Sequence, residues 1–169
     1  MEQRVAGLAD QFEAVHREVV TFCQALSSSD WETYVPNEER TVGVLIQHIA
    51  IGYGAEAGLI RAIVNGQPLP AIYASWDALN AMNARDAVAL RSGTQAEALQ
   101  LLDLHASETS QFLRTLTDDD LGKSQPLGIR DGELWTVERV IRTIVLGHPR
   151  WHMASIRSTL ADQATEHRS

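Results

Sequence analysis

The chain has 169 residues, 44% hydrophobic and 21% charged, the balance of a single globular domain spanning residues 1–169 rather than of a disordered chain. Acidic side chains outnumber basic ones 22 to 14, for a formal charge of -8, and no Lys/Arg cluster offers the basic face that phosphate neutralisation needs, so nucleic acid is not an expected partner. The lone Cys23 has no partner for an internal disulfide and the charged, amphipathic start MEQRVAGLADQF has no signal-peptide apolar block, so a cytoplasmic protein is expected.

The first segment carries Val5, Leu8, Phe12, Val15, Val19, Phe22 and Leu26, spaced alternately three and four apart. That seam predicts a helix over roughly residues 2 to 27. A second helix is expected from about Thr41 to Val64, with Leu45, His48, Ile49, Gly52, Leu59 and Ile63 on one face and Asn65-Gly66 as its stop. Gln47, His48, Glu56 and Arg61 interrupt this stretch too often for a membrane span. Then come Pro68, Pro70 and a shorter amphipathic stretch, Ser75 to Leu90, together longer than a tight antiparallel turn needs and so able to act as a crossover. Thr94-Gln95-Ala96-Glu97 is a capping-box pattern that opens a third helix, running to about Leu116. The fourth is expected over about Trp135 to Leu160, with Val137, Ile141, Ile144, Val145, His148, His152, Ile156 and Leu160 facing inward. No segment sustains period-two alternation, and the chain reads as all-α. A short internal repeat is visible: Leu26-x3-Asp30-x5-Pro36 recurs as Leu116-x3-Asp120-x5-Pro126, each copy preceding a Thr-Val pair that opens a helix.

The histidines separate by their place relative to these stripes. His16 sits beside the seam of the first helix and His167 in the polar tail, both read as solvated. His48 points inward, and His148 and His152 lie one helical turn apart on an apolar face, with Cβ atoms about 6 Å apart. Two imidazoles at that spacing and a third from another helix can reach one ion at about 2.0–2.1 Å each, leaving a fourth position open. The competing reading is that each histidine bonds a core hydroxyl or water. His105 also falls on an inward stripe, as a ligand, a supporting group or a satisfied core histidine, the last being preferred. Pro149 removes the donor for the Val145 carbonyl. Gly147-His148-Pro149 then either ends one helix with His148 as the cap of the next, or kinks a single helix; the apolar period runs through and favours the kink.

Thr41-Val42-Gly43-Val44-Leu45-Ile46-Gln47-His48-Ile49-Ala50, the upstream Leu26-Ser27-Ser28-Ser29-Asp30-Trp31, and the terminal His148-x3-His152 resemble segments of the DinB-like superfamily of metal-binding four-helix bundles. The resemblance covers nearly the whole chain, and Pro149 inside the last motif departs from it. It implies an up-down-down-up bundle with a long crossover between helices two and three. It also implies a homodimer and a zinc- or nickel-type ion held by His48, His148 and His152. Characterised relatives include thiol-dependent S-transferases and an isomerase using mycothiol, bacillithiol or glutathione.

An open-sided three-histidine ion lowers the pKa of a bound water or thiol, which predicts attack of a low-molecular-weight thiol, or water, on a small electrophilic substrate. No protein nucleophile competes for this role: Cys23 reads as core, and there is no Gly-rich phosphate loop or nucleophile elbow. Asp118-Asp119-Asp120 reads as the opening of a short helical turn. Candidate pocket residues are Tyr53, Asn80, Asn83, Arg85, His105 and Trp151. Against each stands a plainer role: a dimer surface for Tyr53 and, preferred there, for Trp151, and a solvated face for the inter-helix group. The non-catalytic alternative is a bundle that holds a structural metal or sequesters a small ligand. Structural zinc normally has four protein ligands, and only three are apparent.

Overall fold

A computed structural model of the chain describes residues 3–166, and His167 lies outside them. Helices α1 (Gln3–Ala25), α3 (Val42–Val64) and α5 (Gln95–Arg114) form three of the long elements. The fourth is a composite: α7 (Val137–Val140), a π-turn over Ile141–Val145, and α8 (Gly147–Glu166). Between them lie the short α2 (Ser28–Glu32), α4 (Trp76–Ala89) and α6 (Asp118–Gly122).

Side-chain bonds between the long helices fix their directions. Along α1 and α5, Cys23 meets Gln95, Glu13 meets Ser110 and Asp10 meets Arg114, so these two run antiparallel. On α3 and α5, Ala50 pairs with His105 and Tyr53 with Thr109, so these two run parallel. On α3 and α8, Glu56 lies against His148 and His48 against His152, which is antiparallel. The bundle is therefore up-down-down-up. The parallel α3–α5 pair needs a long return, and the α4 crossover supplies it.

The core is drawn from all four helices, with Leu8, Phe12, Leu45, Ile49, Leu59, Leu102, Leu113, Val145 and Ile156 all but fully buried. α3 is the central element. Its length and apolarity would suit a membrane span, but 78% of the relevant window is buried inside the bundle, as in the core helix of a packed domain. It ends as its sequence predicts, on Asn65 and a left-handed Gly66 (φ 63°).

The short internal repeat marks a local structure used twice. Ser27 and Asp30 form a capping box on α2, and Thr117 and Asp120 form one on α6. Each short helix leads into an antiparallel hairpin: β1 (Tyr34–Val35) with β2 (Arg40–Thr41), then β3 (Ser124–Leu127) with β4 (Glu133–Thr136). Each hairpin ends on a threonine, Thr41 or Thr136, that caps the helix after it. Each turn also holds one non-glycine residue in the left-handed region, Glu39 (φ 55°) and Asp131 (φ 54°). These strands, two and four residues long, add to the all-α reading and are too brief to leave a period in the sequence.

The helix through Pro149 is continuous in path but not regular. The Leu146 amide donates to the Ile141 carbonyl at 2.9 Å, a π-type bond that widens the turn just before α8. Pro149 then falls in the first turn of α8, where a missing amide costs nothing. His148 is a helical residue and not a cap.

Candidate metal centre

Three residues on one stripe of α3 face α8: His48, Gly52 and Glu56, each four apart. Gly52 is there for space. A Cβ at this position would lie 2.8 Å from His148 Cε1 and 3.1 Å from its Nδ1, so only glycine lets the His148 ring lie this close to α3. His148 and His152 project from consecutive turns of α8. The three rings meet edge to face, with centroids 4.9 Å (His48–His148), 5.0 Å (His48–His152) and 4.6 Å (His148–His152) apart. One ligand atom from each falls within 4.8 Å of the others, and His48 Nε2 lies 3.0 Å from His148 Nε2.

Two carboxylates back the cluster. Glu56 Oε1 lies 2.8 Å from His148 Nδ1, bent away from ideal hydrogen-bond alignment. Glu38 Oε1 lies 3.1 Å from His152 Nδ1. Glu38 is delivered by the β1–β2 turn, which Asn37 ties to α8 through a 3.1 Å bond to Ser155 Oγ. Its carboxyl is shifted below the usual range: burial raises it, but the His152 and Ser155 bonds and the Arg40 charge outweigh that. Burial pushes the Glu56 carboxyl up, opposed by His148. Burial also drives His48 down to about 2, helped by the charges of His148, His152 and Arg40, so this ring is neutral. His152 is lowered by burial as well, with Glu38 opposing.

The donor set fits a divalent cation. A neutral imidazole carries one N–H and one lone pair. If Glu38 and Glu56 accept the Nδ1 protons of His152 and His148, both Nε2 atoms turn lone pairs toward the centre, and His48 can donate at most one proton to them. The cluster therefore has more acceptors than donors, and His48 Nδ1 is buried with no partner. A cation resolves this excess, and carboxylate-backed imidazoles are the usual surroundings of a metal-binding histidine.

The triad opens onto a cavity of about 880 Å³ between α3, α4, α8 and the two hairpins. Asn80, Asn83 and Trp151 line it, alongside Leu79, Met82, Ile129, Ile144 and Arg130. Trp151 is 57% exposed and its ring is tilted against His152 at 4.7 Å. Three of the predicted pocket residues lie elsewhere. Tyr53 is fully buried on the far side of α3, edge to face with Phe12 at 5.0 Å. His105 turns toward α3 from α5, where its Nδ1 bonds the Ala50 carbonyl at 2.8 Å. Arg85 is on the exposed face of α4. His16 is not solvated as predicted: its ring packs edge to face on Tyr53 at 5.9 Å, and burial lowers its pKa. Cys23 is buried and its thiol is pushed up to about 11 by burial, which suits a core residue.

Sequence reasoning missed both backing carboxylates. Glu56 had a usable signal, since His48, Gly52 and Glu56 share one α3 face. Glu38 had none, because a turn residue carries no period.

With this geometry in hand, the comparisons are consistent. Residues 11–156 match the model of the DinB superfamily, and the chain belongs to that family. Among solved structures it is similar to YfiT from Bacillus subtilis, described as a probable metal-dependent hydrolase with an unusual four-helix bundle topology. That match has a TM-score of 0.73 and 15% identity, over 97% of this chain and 90% of that one. It is also similar to a mycothiol-dependent maleylpyruvate isomerase, with a TM-score of 0.69 and 13% identity, over 90% of this chain and 60% of that one. A histidine-to-alanine mutant of such an isomerase matches with a TM-score of 0.66 and 11% identity, over 83% of this chain and 56% of that one. No curated protein matches the chain.

Proposed function

We propose that this protein is a metal-dependent enzyme in which His48, His148 and His152 hold one divalent ion, zinc or nickel, and a low-molecular-weight thiol or water is activated to attack a small electrophile. The observation that carries this reading is the carboxylate-backed histidine cluster opening onto a cavity large enough for a small molecule. Such an ion, when bound, lowers the pKa of a coordinated thiol or water into the neutral range. The chain's own residues do the rest. Glu38 is placed to accept the Nδ1 proton of His152, and Glu56 Oε1 stands 2.8 Å from His148 Nδ1, which favours the tautomers whose Nε2 lone pairs face the centre. His48 stays neutral because it is buried, and so keeps a lone pair for the same centre. Leu79, Met82, Ile129 and Ile144 keep part of the cavity wall dry, which strengthens electrostatics inside it.

Three nitrogen ligands with an open side favour catalysis over a closed structural site. The names of the solved relatives support both a hydrolytic and a thiol-dependent chemistry, and the thiol route is preferred here on the family resemblance. A cytoplasmic location and a homodimer complete the reading; light scattering on the purified protein reads the second.

Elemental analysis of tag-free protein tests the core of the proposal. About one divalent ion per chain is expected, lost in His48→Ala and in His148→Ala. A wild-type protein that cannot be loaded with metal would end it. On loaded protein, faster conjugation of an electrophile with mycothiol, bacillithiol or glutathione supports the thiol route, and ester hydrolysis without thiol supports the water route.

A further inference from the structure

Arg130 sits at the tip of the second hairpin, in the 3-10 turn Gly128–Arg130, and lines the same cavity as the histidines. Its guanidinium lies over two indoles, 5.5 Å from the Trp76 ring and 5.1 Å from the Trp135 ring. Its Nε is buried without a hydrogen-bond partner, and no carboxylate among the described residues forms an ion pair with it. Glu133, whose carboxyl feels the Arg130 charge, is bonded instead by Arg139 at 2.6 Å and by the Trp135 indole at 3.0 Å. The tip itself is pinned: a Cβ on Gly128 would meet the Ala74 carbonyl oxygen at 2.1 Å, so the hairpin lies directly on the backbone that leads into α4. Arg130 is therefore a held cation whose Nε has no hydrogen-bond partner and whose carboxylate neighbour, Glu133, is already bonded to Arg139 and Trp135.

The charge of the lining says what would neutralise it. Two arginines (Arg40, Arg130) and three carboxylates (Glu38, Glu39, Glu56) line the cavity. Arg40 shares a hairpin with Glu38, which backs His152, whereas Arg130 stands on the other hairpin, away from the two backing carboxylates. Formally the lining carries one net negative charge, and a bound divalent ion would make it one net positive charge. One added negative charge balances that formal count, and a carboxylate brings it. The guanidinium fork matches a carboxylate in a bidentate, charge-assisted pair.

We propose that Arg130 anchors the carboxylate of a monoanionic substrate whose apolar body lies against Leu79, Met82, Ile129 and Ile144. This rests on the metalloenzyme reading for the reacting end of the substrate, while the anchor is defined by residues outside the histidine cluster. The two indoles hold the guanidinium in place before the substrate arrives, so little rotamer freedom is lost on binding.

Calorimetric titration of the metal-loaded protein with hexanoate, hexanamide and hexyl phosphate tests the anchor, because the three probes share an apolar body and differ in the head. Hexanoate is expected to bind at least roughly tenfold more tightly than the other two, and Arg130→Gln to weaken it by roughly 10- to 100-fold with metal content unchanged. Arg130→Lys, which keeps the charge and loses the fork, is expected to fall between. Unchanged hexanoate affinity in Arg130→Gln would mean that the metal or Arg40 holds the head, and would overturn the proposal. So would hexanamide or hexyl phosphate binding as tightly as hexanoate, a comparison that stands on the wild-type protein alone if the variant does not fold. Metal content on the same samples reads the metalloenzyme proposal separately. A wild-type protein that takes up no metal yet discriminates hexanoate from hexanamide keeps the anchor and loses the metal.

Discussion

Replacing Gly52 by alanine sets two effects of one methyl group against each other. In a helix interior, alanine is favoured over glycine by roughly 0.5–1 kcal/mol, because the unfolded glycine has more freedom to lose. At Gly52, however, the new Cβ would stand 2.8 Å from His148 Cε1, and ordinary contact begins near 3.4 Å. The imidazole must therefore retreat by about 0.6 Å, three times the roughly 0.2 Å tolerance of a metal–ligand distance. The ring is held from behind by Glu56, and Glu56 Oε1 would itself lie 3.6 Å from the new atom, so the retreat also disturbs the backing carboxylate. A loss of roughly 10- to 100-fold in metal affinity is expected, the range found when a supporting group of a metal site is disturbed. The unfolding free energy of the metal-free variant should stay within about 1 kcal/mol of wild type. Gly58→Ala is the control. It lies in the same helix with nothing within 4 Å of the added atom, so it should gain the helix-propensity term and leave metal affinity alone. Competition with a chromophoric chelator reads the affinity, and urea unfolding of the metal-free proteins reads the stability. If Gly52→Ala binds metal as tightly as Gly58→Ala, then His148 is not held where this geometry needs it, and its part in the triad falls.

Two further outcomes follow from the repeated hairpin unit. Asp120 accepts from Lys123 and from the Thr117 cap, which together hold its carboxyl down to about 2 against an ordinary value of 3.8. Because the folded pKa is the lower one, its contribution is fully present above pH 3.8 and is lost as pH falls through about 2. Asp120→Asn should cost about 1 kcal/mol at neutral pH, with the deficit fading toward pH 2 in urea titrations; a deficit that persists there would contradict the assignment. Gly128→Ala drives a Cβ to 2.1 Å from the Ala74 carbonyl, backbone against backbone, and should destabilise by about 1–3 kcal/mol. Gly122→Ala, with open space around it, should not; equal melting temperatures for the two would show that the tip does not rest on that segment.

The long helices were legible because each buries one stripe, and a stripe leaves a period of three and four. Val5 to Phe22 on α1 is the clearest instance. His48, His148 and His152 were legible for the same reason: polar residues on an apolar stripe stand out. Glu56 shares that stripe but reads as a charge interrupting an apolar run until Gly52 and His48 are seen to precede it at four-residue steps. Glu38 and Arg130 were not legible, since both sit in turns whose placement is set by packing at a distance, on Ser155 through Asn37 and on Ala74 through Gly128. Pro149 pointed to an irregularity, but its form depends on where the Leu146 amide finds an acceptor, which no single residue type reveals. Tyr53 lies away from the cavity because its face of α3 is buried against other helices, and burial alone does not say which neighbour a face meets; His105 is the satisfied core histidine that its stripe on α5 suggested, bonded to the Ala50 carbonyl.

The two hairpins bear on how such a protein can change. Glu38 and Arg130 each immediately precede the left-handed residue of their turn, so the two copies of one local structure present their tips to the same chamber. What secures each copy lies elsewhere, in the Ser27–Asp30 and Thr117–Asp120 boxes and in the Thr41 and Thr136 caps. Foldability and ligand choice are thus written in separate letters of the same short segment. Substitutions at a tip can retune one end of the chamber, metal-facing or ligand-facing, while the helices that carry the histidines keep their register.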